Sequence, residues 1–229
     1  MDMQRTEKIR SLLYEGESGK KFAAFYSLLS GYNEKVNLTR IVDEADCYRK
    51  HFFDSLTGEI YFPHNSVCVE VGSGGGFPSV PLMIARPDLQ FTLIESVGKK
   101  CEFLRLAVRE LGLRARVLNV RAEEAASDPA YREKFDMCCA RAVARMNTLC
   151  EYCLPFVRKG GAFVAYKGSA EEELQESVSA VKILGGKTES SEKFALEGGD
   201  ARTLIVVRKI SATPNGYPRG RGKERKDPL

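Results

Sequence analysis

The chain has 229 residues, 43% of them apolar and 29% charged, so it can bury a sizeable core without disulfides or metals to hold it. The formal net charge is +4, a lean toward anionic partners, and no apolar run approaches the ~18 residues a membrane span requires. Charges interrupt the first residues, and the seven cysteines are odd in number and fall inside apolar runs. A reduced, cytoplasmic setting without a secretory leader is therefore expected. Cys150 and Cys153 form a lone CxxC, with only His51 and His64 as imidazoles in the chain. The pair falls within a helical apolar pattern, so packing is the expected role and no metal is assigned.

In chain order, residues 3–60 read as a largely helical N-terminal cap. Phe22, Phe25, Tyr26 and Leu29 recur at i, i+3, i+4, i+7 and mark one buried face. A polar connection, Asn33 to Thr39, leads to a second helix over Glu44–Thr57 with Asp43 as its N-cap. From residue 61 to 210 strands and helices alternate. Strands are expected at Val67–Val71, Phe91–Glu95, Arg116–Val120, Phe135–Ala140 and Ala162–Tyr166, a weaker one at Thr188–Phe194, and a last at Thr203–Val207. Helices are expected near Ser79–Ala85, Gly98–Leu111, Met146–Val157 and Ala170–Leu184. This alternation predicts an α/β fold with a mostly parallel, doubly wound sheet, whose last two strands are close enough to pair as an antiparallel hairpin.

Residues 211–229 read as an irregular basic tail. Arg219, Arg221, Lys223, Arg225 and Lys226 face only Glu224 and Asp227 there. Such a run is either a solvated tail or a grip for phosphates, and the sequence leaves both open.

The most informative segment is Glu70-Val71-Gly72-Ser73-Gly74-Gly75-Gly76-Phe77-Pro78, between the first strand and its helix. In a doubly wound sheet this turn lies at the carboxyl edge where ligands bind. A dinucleotide site wants Gly-x-Gly-x-x-Gly, and Phe77 stands where the third glycine should fall. That argues against a nicotinamide or flavin dinucleotide. Crowded glycines beside an acid suit S-adenosylmethionine, which has an amino-acid head and no phosphate. Glu95 ends the second strand, where a carboxylate can accept from ribose hydroxyls. Arg121-Ala122-Glu123 follows the third strand, within reach of an adenine. Each acid alone is an ordinary loop carboxylate, but their register after successive strands favours a ligand.

The sequence also resembles a known family, the bacterial 16S ribosomal RNA guanine-N7 methyltransferases once called glucose-inhibited division protein B. The segments that carry it are Tyr32 to Thr39, His51-Phe52-Phe53-Asp54-Ser55-Leu56, Glu70 to Pro78, Glu95-Ser96, Arg121-Ala122-Glu123, Ala140-Arg141-Ala142, Lys167-Gly168 and Tyr217-Pro218-Arg219. The glycine motif is generic, whereas the NLT and HxxDSL segments together are specific. Tyr32 stands where the family usually has Trp, and Glu70 where it often has Asp. The resemblance implies a Rossmann-like class I methyltransferase with a seven-stranded sheet. It implies that Gly72, Phe77, Ala122, Glu123 and Arg141 line the S-adenosylmethionine site. Gly74 and Glu95 join that set from their position.

For the reaction, Arg141 is expected to hold the target guanine or a phosphate. Asp54 is expected at the pocket mouth, offsetting the charge of the product base, and Lys167 is a further catalytic candidate. The alternative for His51 and Asp54 is an i, i+3 pair tying the cap to the core. Lys99, Lys100, Lys167, Arg219 and Arg221 are the candidate RNA contacts. The partner implied is small-subunit ribosomal RNA or the subunit itself, and the chain is read as a monomer. Two other readings stay open: a methyltransferase with another acceptor, and a non-catalytic RNA-binding or assembly factor on the same fold.

Overall fold

A computed structural model describes residues 1–229. The cap opens with α1 (Met3–Tyr14), N-capped by Asp2, and α2 (Gly16–Asn33). The expected second cap helix is three pieces: α3 (Glu44–Cys47), a π-helical stretch Tyr48–Phe53, and α4 (Asp54–Leu56). Asp43 caps it as expected, accepting from Asp46 N. Widened π turns recur at functional sites, and this one carries Lys50 and His51.

The sheet follows: β1 (Val67–Val71), α5 (Ser79–Ala85), β2 (Gln90–Glu95), α6 (Gly98–Glu110), β3 (Ala115–Asn119), α7 (Ala122–Ser127), β4 (Phe135–Arg141), α8 (Met146–Cys153) and β5 (Val157–Lys167). Then come α9 (Glu171–Glu176), α10 (Val178–Ile183), β6 (Gly186–Ala195), β7 (Ala201–Lys209) and a single turn α11 (Lys223–Lys226). The seven strands lie in the order β3-β2-β1-β4-β5-β7-β6. β1 to β5 are parallel, while β7 runs antiparallel to both β5 and β6. The hairpin is thus real, and it returns the start of β7 to the carboxyl edge of the parallel strands. The sequence order reverses between β1 and β4, which is the switch point where such sheets bind ligands.

Strand residues alternate between two apolar layers. Cys68, Met137, Cys139, Val164, Tyr166, Leu204 and Val206 face one layer, shared with Phe22, Phe25 and Phe52 of the cap and Phe103 of α6. Val69, Val71, Cys138, Ala140, Phe163, Ala165, Ile205 and Val207 face the other, with α8 and α10. The cap therefore shares its core with the sheet. All seven cysteines are buried, Cys150 and Cys153 in the second layer. Burial pushes the Cys47 and Cys150 thiols up to about 12, which leaves them unreactive at neutral pH.

Two expected helices are shorter. The one from Met146 ends at Cys153, and Leu154–Phe156 forms a 3-10 turn around Pro155, which has no N–H to continue the helix's hydrogen bonds. The one over 170–184 is divided into α9 and α10 at Ser177, whose hydroxyl donates back to Leu174 O, 2.9 Å. No helix is long and apolar enough to cross a membrane.

Candidate functional site

The carboxyl ends of β1, β2 and β3 open onto a cleft of about 400 Å³. Gly72, Glu95, Ser96, Arg121, Ala122, Glu123 and Tyr152 line it, joined by Arg221, Gly222 and Arg225 from the tail. Gly72 has φ +70°, and a Cβ there would sit 2.7 Å from Val143 Cγ2, so both conformation and space demand glycine. The loop's own N–H groups are largely engaged. Gly72 N and Ser73 N both donate to Ile94 O, at 2.9 and 3.1 Å, and Gly76 N to Ser73 O. Gly74 N donates to Glu95 Oε2, 2.9 Å, and Val97 N to Glu95 Oε1, 2.8 Å. Few donors remain for a pyrophosphate, whereas Glu95 is clamped rigid at the cleft floor. A carboxylate offers about four acceptor sites, so Glu95 keeps capacity for hydroxyl donors.

Beneath this loop Glu70 is fully buried. It accepts from Ser79 through both the hydroxyl and the backbone N–H. Burial raises its pKa to about 7, with the Ser79 and Ser73 hydroxyls and the Arg141 charge opposing the rise.

A second cavity, about 340 Å³, lies beyond the end of β4 and is lined by Lys50, His51, Asp54, Arg141, Ala142, Tyr166, Lys167, Glu173 and Arg202. Ala142 lines this cavity and Val143 lines the first, so the segment after β4 is their common wall. Ala142 is held at φ +56°, a conformation an alanine adopts only under constraint.

Arg141 organises this cavity. Its guanidinium donates to Lys50 O (3.1 Å), Asp54 Oδ2 (3.2 Å) and His51 Nδ1 (2.9 Å), and its carbon sits 4.9 Å from the Phe77 ring centroid. Arginine can only donate, so His51 Nδ1 must be the bare nitrogen and Nε2 carries the proton. Nε2 then donates to Thr39 Oγ1, 2.7 Å away. Thr39 is positioned by Asn33, whose Oδ1 accepts from Leu38 N and Thr39 N at 2.8 and 2.9 Å. Burial, then the Arg141 charge, pull the His51 pKa down to about 3. His51 is therefore a neutral strut with both nitrogens occupied. Asp54 is 3% exposed and also pairs with Arg202 Nε at 3.1 Å.

Several expectations change here. Asp54 is buried between two guanidinium groups and does not stand at a pocket mouth. It does not bond His51 directly; both grip Arg141. Phe77 does not line the first cleft. It stacks on His51, with centroids 4.4 Å apart, and packs at a tilt against Phe25 and Phe52 at 5.5 and 6.0 Å. Arg141 likewise faces the second cavity. Lys167 is not free for RNA backbone: it pairs with Glu173 at 2.6 Å and donates to Ala144 O at 2.9 Å. Arg219 is not free either, since Glu151, itself fully buried, takes its Nε and Nη2 and its backbone N–H. Lys99 is exposed and Lys100 half-buried at the start of α6, and neither lines either of these two cavities. Gly74 serves by clamping Glu95 and does not line the cleft.

Residues 18–204 match the family model described as rRNA small subunit methyltransferase G. This chain belongs to that family. Ribosomal RNA small subunit methyltransferase G of Brevibacillus brevis is 47% identical over 92% of this chain and 90% of that protein. The methyltransferase G of Acetivibrio thermocellus is 43% identical over 97% of each chain. Among solved structures, an O-methyltransferase from Bacillus cereus in complex with SAH superposes with a TM-score of 0.59, covering 81% of this chain and 91% of that one. At 15% identity this likeness shows the class I methyltransferase fold alone.

Sequence reading of this methyltransferase G family member passed over Thr39 as the His51 partner, and Arg202, Tyr152 and Arg225. Arg202 reaches the site because β7 starts at the carboxyl edge, beside the Lys167↔Thr203 pair of the β5–β7 ladder. The short link between β6 and β7 was its available signal. Tyr152 and Arg225 depend on how the tail docks on α8, which has no local signature.

Proposed function

We propose that this enzyme methylates guanine N7 in small-subunit ribosomal RNA, using S-adenosylmethionine. The observation that supports this most is the pairing of the two cavities. One is a glycine-walled cleft floored by a clamped acid; the other is rich in cations; a single strained segment divides them. The donor set fits the cofactor. Glu95 can take ribose hydroxyls, Ala122 and Glu123 flank an adenine position, and Gly72 admits close approach of an amino-acid head.

When bound, S-adenosylmethionine supplies a methyl group already activated on a sulfonium. Guanine N7 presents a free lone pair, so no residue need remove a proton, and positioning with charge placement is what remains for the protein. A neutral His51 with both nitrogens engaged is consistent with a reaction that needs no base. In this reading Arg141 and Arg202, held by Asp54, donate to the guanine O6 edge or a neighbouring phosphate. Lys167, held by Glu173, forms the far wall. In this reading Arg141 is the guanine-contacting group, and Asp54 and His51 position it. Phe77 supports that guanidinium from below. The thiols are buried, which agrees with a reducing cytoplasm. The protein is read as acting as a monomer.

The test uses tritiated S-adenosylmethionine and small subunits lacking the modification. Label at a single guanine, released by alkali as an N7 adduct, is expected. Label on another atom or acceptor, with normal cofactor binding, would overturn the assignment. Absence of both label and cofactor binding would leave a non-catalytic RNA-binding protein.

A further inference from the structure

The tail is a fixed strap. Arg132 donates to Tyr217 O and Thr213 O at 2.7 and 2.8 Å, and Thr213 Oγ1 donates to Leu184 O at 2.9 Å. Further on, two fully buried carboxylates hold it: Glu151 grips Arg219, and Glu224 takes the Gly220 N–H while its own carbonyl accepts from Thr148 Oγ1. Burying two carboxylates is costly; Arg219 offsets it at Glu151, and at Glu224 the Gly220 N–H bonds one oxygen while Oε2 has no partner, so both acids fix the backbone between Arg219 and Glu224. That backbone carries Arg221, Lys223, Arg225 and Lys226, all four exposed. None of these four forms an ion pair with an acid of the chain. Arg121, exposed and lining the same cofactor cleft, is unpaired too. The second cavity differs, since its Arg141, Lys167 and Arg202 are each matched to Asp54 or Glu173.

Fixing like charges side by side raises their mutual repulsion, which a free tail would relieve by spreading out. Pre-positioned, unneutralised cations lower the ordering cost of binding a polyanion. We infer that the strap is a preformed grip for RNA phosphates at the rim of the cofactor cleft, with Lys223 and Lys226 as its outer contacts and Arg221 and Arg225 as its inner ones. This inference rests on the RNA reading given above. It replaces Arg219, the expected phosphate contact, with the residues that Arg219 anchors.

The test is a salt titration of binding to 16S RNA by the full chain, comparing wild type with K223Q/K226Q. Each lost phosphate contact reduces the slope of log affinity against log salt by about 0.7 to 0.9. The double variant should therefore lose about 1.4 to 1.8 of slope, or about 30-fold in affinity near 0.1 M salt. Cofactor affinity by calorimetry should match wild type, since neither lysine lines the cleft. Lys159 and Lys187 are exposed, unpaired and at the opposite end of the sheet, so K159Q/K187Q removes equal charge elsewhere and should keep the wild-type slope. A wild-type slope in K223Q/K226Q, or an equal loss in K159Q/K187Q, would overturn the inference while leaving the methylation reading intact. A wild type without salt-dependent RNA binding would overturn both.

Discussion

Glu70 allows a prediction whose size follows from its surroundings. The carboxyl lies under the glycine loop, fully buried, with its pKa raised from 4.5 to about 7. A raised acid pKa means the folded state holds a proton that the unfolded state has lost, so stability falls as pH rises from about 4.5 to 7 and then stays level. The difference between those values corresponds to about 3 kcal/mol at full extent. Glu70→Gln removes the titration and keeps an amide that can accept from Ser79 N and donate to Ser79 Oγ. The variant should match wild type near pH 4 and exceed it above pH 7, by about 3 kcal/mol, or roughly 6 to 12 °C in Tm for a domain of this size. Melting both proteins from pH 4 to 8 measures it, because other titrating groups cancel in the difference. A Tm difference that does not change with pH would refute the reasoning, since a packing or hydrogen-bond effect has no cause to follow pH.

Other expectations follow from the same geometry. Glu95→Gln leaves one acceptor oxygen where Gly74 N and Val97 N now each have their own. Calorimetry should show S-adenosylmethionine affinity reduced about 10- to 100-fold, on the scale of lost charge-assisted hydrogen bonds. Arg141→Ala removes a partner from buried Asp54 and the donor to His51, so it should lower Tm as well as abolish turnover. Arg141→Lys keeps the charge but cannot bridge three acceptors, and should reduce kcat/KM by about 10²-fold with a smaller loss of Tm. His51 should stay neutral in NMR titrations from pH 8 down to 5, because its pKa is held at about 3. Protonation near 6.5 would remove the Arg141–Nδ1 bond from the scheme.

What the sequence revealed and what it hid separate along physical lines. The glycine loop, Glu95 and the inward face of α6 were legible because each is local: a turn, a strand end, a helical period. Six of the seven strands were legible for the same reason, to within two residues at each end, whereas β5 starts at Val157, five residues before its expected start at Ala162. The expected place of Arg141 and Phe77 on the first cleft was not where the fold puts them: Arg141 lines the second cavity and Phe77 packs beneath it, because both depend on the cap folding over the sheet. Arg202 becomes visible only once β7 is known to run antiparallel. Arg219 reads as a free surface cation until Glu151, an unremarkable acid in a helical stretch, turns out to be buried opposite it. Contacts between segments far apart in the chain leave little trace in either one.

The aromatic stack has a genetic consequence. Phe22 and Phe25 pack on Phe52, Phe25 and Phe52 on Phe77, and Phe77 on the His51 ring and the Arg141 guanidinium. A void opened at Phe22 or Phe25 reaches Arg141 through this column without touching either cavity, at about 3 to 5 kcal/mol for a Phe→Ala change. Inactivating alleles selected in a population should therefore scatter along the cap's phenylalanines as often as around the cleft. A map of such alleles would trace a column of packing as well as the active site.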